Sequence, residues 1–164
     1  MPSLLIIDDL PIRVTNDGRW VHGDEALHPK VAILFAKCLI PQENGEWELQ
    51  VGQQKSAVLV SDAGFFVRAI RVVAGEQGDI QEVRIKISDD TEEMLDLGTM
   101  MMSSDNALYC RIKRHGFEVP CKFTAQQYHE LGLLAHFEDE NAWLLSGNEK
   151  YRLNNSYDAS HRKL

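Results

Sequence analysis

Residues 14–22 read VTNDGRWVH, and residues 112–119 read IKRHGFEV. In each, a glycine within a polar tetrapeptide separates two strand-like stretches. Asp17-Gly18 divides Ile12-Arg13-Val14 from Trp20-Val21-His22, and His115-Gly116 divides Tyr109-Cys110-Arg111-Ile112 from Phe117-Glu118-Val119. A tight turn of this kind needs positive φ, which glycine adopts without steric cost, so both stretches predict β-hairpins.

The segments after the two hairpins also agree. Behind the first, Val31, Leu34, Phe35, Cys38 and Leu39 form one apolar stripe at helical spacing, with Pro29 suited to the first turn and Pro41 just past the end. Behind the second, Thr124 and Gln127 form a capping box, and Phe123 and Tyr128 occupy the two positions of a hydrophobic staple. Tyr128, Leu131, Leu134 and Ala135 then supply a buried face.

Each helix leads to a strand that contains a tryptophan. Asn44-Gly45 turns into Trp47-Glu48-Leu49-Gln50-Val51, and Trp143-Leu144-Leu145 comes after the second helix; Gly52-x-x-Lys55 has its counterpart in Gly147-x-x-Lys150. The first glycine precedes its tryptophan by 29 residues and the second by 27. Self-similarity in fixed order marks a repeated unit and predicts an internal duplication.

Between the copies, Phe66–Val73 and Glu82–Ile87 alternate polar and apolar residues around the loop 74–79, which predicts a long hairpin with one dry face. The acidic, then Met-rich stretch from Ser88 to Ser104 reads as a connector. The expected architecture is α+β, with one helix on each sheet. Residues 1–88 form the N-terminal unit with the long hairpin, 89–104 a linker and 105–164 the C-terminal unit.

Composition bounds the function. With 164 residues, 44% hydrophobic and 26% charged, the chain is globular rather than disordered or membrane-embedded. The opening MPSLLIIDD lacks a basic flank and turns acidic at Asp8, so it reads as neither a signal peptide nor a span, and a cytoplasmic location is expected. Cys38, Cys110 and Cys121 make an odd set without C-x-x-C spacing, which fits reduced thiols. A net charge of -8 argues against nucleic acid as a partner; Arg111–His115 and His161-Arg162-Lys163 read as solvated basic clusters.

No G-x-S-x-G, G-x-x-x-x-G-K-[ST], H-E-x-x-H or G-x-G-x-x-G motif occurs, so no enzyme class and no cofactor is indicated. His129 and His136 share a helical face but stand roughly 10 Å apart along the axis, too far for one zinc. The acidic runs, such as Glu138-Asp139-Glu140, read as solvated loops. Asp62 differs, because it ends the apolar strand Ala57–Val60 just before Ala63-Gly64-Phe65-Phe66, where glycine permits close backbone approach and the aromatics offer either a stacking wall or core. Trp20, Trp47 and Trp143 are core anchors or ligand platforms. Lys55 and Lys150 are solvated or anion-binding. A hydrolase reading would need Asp62 and His22 to converge as base and orienter.

DGRWVHG followed by VAILFAKCL, then a lysine, then VSDAGFF resembles the bacterial family called domain of unknown function 1285 over residues 12 to 67, and more weakly over Tyr109 to Leu134. The resemblance implies a duplicated α+β core and a C-terminal half similar to pleckstrin-homology-like folds. It also implies a role in signal transduction through a nucleotide-like ligand held between the halves, with no enzyme activity. Trp20, Lys55, Asp62, Phe65, Arg111 and Glu118 fall on the family's recurrent positions. Val51-Gly52-Gln53-Gln54 departs from the family's threonine-proline and acidic pattern, and Gly64 stands where the family has proline.

The sequence supports two readings. In one, Phe65 and Trp20 stack on a flat group, Lys55 and Arg111 meet its negative charge, and Asp62 and Glu118 orient donors. In the other the chain is a protein-interaction domain without a small ligand, resting on strand edges and acidic loops such as Asp89 to Asp96.

Overall fold

The computed structural model describes residues 10–76, 80–146 and 149–153. The opening nonapeptide, Gly147 and Asn148 of the second glycine–lysine turn, and the basic cluster at 161–163 lie outside the described residues. The chain is α+β, with two α-helices and fifteen strands among the described residues. In order, β1 (Ile12–Val14), β2 (Trp20–His22) and β3 (Glu25–Ala26) lead to α1 (Pro29–Lys37), and β4 (Leu39–Pro41), β5 (Trp47–Val51) and β6 (Gln54–Val60) come next. The long hairpin is β7 (Phe65–Ala74) and β8 (Ile80–Ile87), continued by β9 (Glu92–Met94), a 3-10 turn at Leu97–Thr99 and β10 (Met101–Met102). Then come β11 (Leu108–Arg114), β12 (Phe117–Phe123), α2 (Ala125–Leu133), β13 (His136–Glu138), β14 (Asn141–Ser146) and β15 (Glu149–Arg152).

Both predicted hairpins form. In the first, Val14 lies opposite Trp20 and Gly18 takes φ 87°. In the second, His115 and Gly116 both take positive φ, 51° and 81°, as a turn that matches strand twist requires. One six-stranded sheet runs β3-β2-β1-β6-β5-β4, closed by a parallel β1·β6 pair; a second runs β10-β11-β12-β7-β8-β9. Its parallel β12·β7 pairing starts at Cys121 opposite Phe65, one residue after Pro120, which has no N–H to donate. Strands β13-β14-β15 form a third sheet, tied to β8 by the Val83 N–H donating to Ser146 Oγ at 2.9 Å.

Hairpin, helix and three-stranded meander thus occur twice in the same order. Their connections differ: the first meander joins the sheet of its own hairpin, whereas the second is separate and its hairpin pairs with β7. The segment 89–104 is not a linker. There β9 pairs with β8, Leu95 and Leu97 are buried in the shared core, and the Arg111 N–H donates to Thr99 Oγ1. Leu95, Leu97, Met100 and Met102, read as connector composition, supply apolar surface to that core, whereas Met94 and Met101 are exposed.

Helix α1 begins at Pro29, and His28 Nδ1 accepts the Lys30 N–H at 3.1 Å. A nine-residue helix buries a narrow face, here Phe35 and Ala36, so Leu34 of the expected stripe is 47% exposed. Pro41 ends β4, an edge strand where its missing N–H costs no ladder bond. At α2, Thr124 Oγ1 accepts the Gln127 N–H at 3.3 Å, but Gln127 does not complete the capping box; its amide leaves the helix for another strand. His136 falls in β13, off the helical face it was expected to share with His129. Cys110 and Cys121 are free, buried and opposite each other, and burial raises the Cys121 thiol well above its ordinary pKa. Among the described residues, no helix is long and apolar enough to cross a membrane.

Gly64 lies under the ring of Trp47, where a Cβ would come within 2.9 Å of the indole and 3.0 Å of Leu39. The close approach expected at this glycine is therefore made by the core. Gly64→Ala should destabilise the protein by about 1–3 kcal/mol in denaturant melts, as overpacking does, and adding Trp47→Phe should recover part of the loss.

Candidate functional site

Strand β7 carries one extra residue. Val67 faces Ile87 and Ala69 faces Lys86, so Arg68 has no residue opposite it on β8. Such a bulge bends the strand and re-aims the side chain at its centre. The Arg68 carbonyl accepts the Gln127 Nε2–H of α2 at 2.9 Å, which explains where that amide goes. Its guanidinium lies over the Phe66 ring, 5.5 Å from the centroid, and Nη2 donates to the Gly18 carbonyl of the first hairpin. Gly18 is required here for space as well as for φ, since a Cβ would meet the Phe66 ring at 2.9 Å.

Arg68 forms one wall of a cavity of about 310 Å³, open to solvent, between α1 and the β7–β8 ribbon. Trp20, Pro29, Ala32 and Ile33 line it from one side, and Ile87 and Ser88 from the other. Lys86 and Asp90 at the rim neutralise each other across 3.1 Å. Among the described residues Arg68 has no carboxylate in ion-pair range; burial lowers its pKa, and Cys121 and Asp17 oppose this through space. Arginine stays protonated regardless, so the cavity carries at its open wall an exposed cation with no carboxylate bonded to it.

Arg114 is the comparison within the same molecule. It lies over Phe65 at 5.4 Å, but Nε meets Asp89 at 2.9 Å, Nη1 meets Glu93 at 3.3 Å and Nη2 donates to Thr91 Oγ1 at 2.9 Å. Burial opposes its charge, yet the two carboxylates more than offset this and raise its pKa. The Arg114–Asp89 pair clips the β8–β9 turn to the end of β11.

The six residues singled out in the sequence do not form one site. Trp20 and Phe65 are core side chains, edge-on to Phe35 and Trp47 at 5.8 and 5.9 Å. Trp20 nevertheless lines the Arg68 cavity. Lys55 is exposed opposite Gln50, about 16 Å along β6 from Val60 by strand rise. Arg111 is bound to Glu118 at 2.8 Å, beside a separate hollow that also takes in Glu93, Asp96 and Glu149, an acid-rich setting. Asp62 accepts from Tyr109 Oη at 2.6 Å and Lys122 Nζ at 2.7 Å, and Lys122 also reaches the Asn16 carbonyl, so this cluster clips the halves together. His22 lies level with Val58, two strands across and about 13 Å along from Asp62, so the two do not converge. Among the described residues no three His, Cys, Asp or Glu side chains group to hold a metal ion.

Sequence reading missed Arg68 and Gln127. Arg68 and Arg71 are three residues apart in a strand, and an odd spacing between residues expected on one solvent face is the available sign of a bulge. Arg114→Met should cost about 3–5 kcal/mol, because it strands a buried Asp89, and Arg114→Met/Asp89→Leu should recover most of it in equilibrium unfolding. Burial, then the bond to Asp62, raise the Tyr109 phenol to about 12 from an ordinary 10.0. A folded-state pKa above the unfolded one stabilises fully below the unfolded value and is lost as pH rises through the folded value. Stability should therefore fall between pH 10.0 and about 12, and Tyr109→Phe should flatten that slope.

No family model matches the sequence, and no curated protein matches it. Solved structures do. A DUF1285 family protein from Silicibacter pomeroyi DSS-3 aligns with TM-score 0.65 and 17% identity, over 92% of this chain and 86% of its own. A DUF1285 family protein from Shewanella baltica OS155 aligns with TM-score 0.57 and 20% identity, over 74% of this chain and 90% of its own. The chain therefore has the fold of DUF1285 family proteins, the family whose motifs its sequence resembles.

Proposed function

We propose that this chain is a DUF1285-like binding module that takes a small anionic molecule in the cleft between α1 and the bulged β7–β8 ribbon. One observation carries the reading: Arg68 is aimed by a β-bulge onto an apolar-walled cavity whose lining carboxylate, Asp90, is already paired with Lys86, and no carboxylate among the described residues is in ion-pair range of Arg68. A cation in that setting is stabilised by charge-assisted hydrogen bonds to an anion brought from solution. Trp20, Ala32 and Ile33 give the ligand an apolar wall. This reading keeps the nucleotide-like character implied by the family resemblance only in its general form, an anion with a flat body. It replaces Lys55 and Arg111 with Arg68 as the charge that receives it.

The cleft lies between α1 and the long hairpin, so signalling would result if ligand binding acted on the second unit through the bond between the Arg68 carbonyl and Gln127. The recurring order of hairpin, helix and meander supports a duplication. A second reading, docking of a protein, is favoured by Leu133 and Phe137, which are 72% and 69% exposed close together in sequence near the end of α2.

A thermal-shift panel of inorganic phosphate, AMP and benzoate tests the ligand reading. A ligand at a hundred times its dissociation constant adds about 2.7 kcal/mol, worth about 2–4 °C per kcal/mol for a chain of this size. At least one anion should raise the melting temperature of the wild type, and Arg68→Gln should abolish the rise. An unmoved melting temperature with every anion would overturn the reading in favour of a protein partner.

A further inference from the structure

The charges around the cavity say which kind of anion fits. Lys86 is already matched by Asp90, so among the described residues Arg68 is the one uncompensated charge on the walls. A phosphomonoester carries about −1.5 to −2 at neutral pH, and a di- or triphosphate more. Any surplus negative charge would find no free cation on the walls, only apolar side chains and the closed Lys86–Asp90 pair, within a chain of net charge -8. A monoanion leaves no surplus.

Geometry agrees with charge. Arginine carries five N–H donors in a planar fork, and Gly18 accepts from Nη2 alone. A complete two-donor edge of the guanidinium is therefore left, the arrangement that matches the two oxygens of a carboxylate. Beyond it, a cavity of about 310 Å³ walled by Trp20, Ala32, Ile33 and Ile87 has room for one ring or one branched chain.

Resting on the reading of this cleft as a binding site, we infer that its ligand is a monocarboxylate with a single planar or branched apolar group, and not a nucleoside di- or triphosphate. The carboxylate lies on the Arg68 fork, the apolar group faces α1, and Asp90 sets specificity by occupying Lys86, which leaves no second cation for a further negative charge.

Isothermal titration of the full chain with benzoate, isovalerate, acetate, AMP and ATP at constant ionic strength tests this. Benzoate or isovalerate should bind at least tenfold more tightly than acetate, and ATP should not compete. Arg68→Lys keeps the charge but loses the fork and should weaken benzoate about tenfold. Ile33→Ser, at a partly exposed position, should weaken benzoate while leaving acetate unchanged, which keeps the test valid if Arg68 variants fold poorly. Asp90→Asn should improve AMP relative to benzoate. If AMP or ATP binds through Arg68 and the carboxylates do not, the carboxylate inference fails and the cleft remains a binding site. If no anion binds, the inference and the binding-module reading fail together.

Discussion

The carbonyl of Arg68 finds its partner in the side chain of Gln127, and that bond orders much of the rest. A bulged residue leaves its backbone outside the regular ladder, and Gln127 supplies the partner that the ladder does not. Gln127 is 6% exposed and comes from the first turn of α2, so the helix of the second unit secures the irregularity in β7. With the bulge secured, the guanidinium turns back over Phe66 to the turn of the first hairpin. One residue thereby connects the first hairpin, the long ribbon and the second helix.

Arg68 and Arg114 show how the same local chemistry serves two ends. Each lies over a phenylalanine of the pair Phe65-Phe66, and those neighbours point to opposite faces of β7. On the inner face, Arg114 is surrounded by Asp89, Glu93 and Thr91, which satisfy its donors and make it a fastening between β11 and the β8–β9 turn. On the other face, Arg68 meets a carbonyl and an open cavity. Removing the counterion is what separates a structural arginine from one that can receive a ligand.

Local chemistry made much of the fold legible and left the site obscure. Gly18 and Gly116 announce their hairpins because few residues tolerate positive φ, and Pro29 and Thr124 mark helix starts by their own backbone chemistry. The sheet partners were not legible, since nothing local in β12 says that it will run parallel to β7. For the same reason 89–104 reads as a connector: β9 is three residues long and held by neighbours far along the chain. Gln127 is the instructive case. Its position satisfies the capping-box pattern, yet its Nε2–H donates to the Arg68 carbonyl on β7 and its buried Oε1 accepts from no group among the described residues.

The six residues singled out in the sequence divide in the same physical way. Trp20 and Phe65 fill the core, and Asp62 fastens the end of β6 to Tyr109 and Lys122. Arg111 with Glu118 spends its charge within one hairpin. Paired charges of this kind are poor receptors for an anion, because a ligand must first displace a carboxylate that is tethered and therefore present at high effective concentration. In an acidic chain that argument leaves few candidates: a cation attracts an outside anion when the fold denies it an inside one. The β-bulge creates that denial at Arg68, by placing the side chain where the aromatic ring beneath it and the carbonyl beside it hold its position without cancelling its charge.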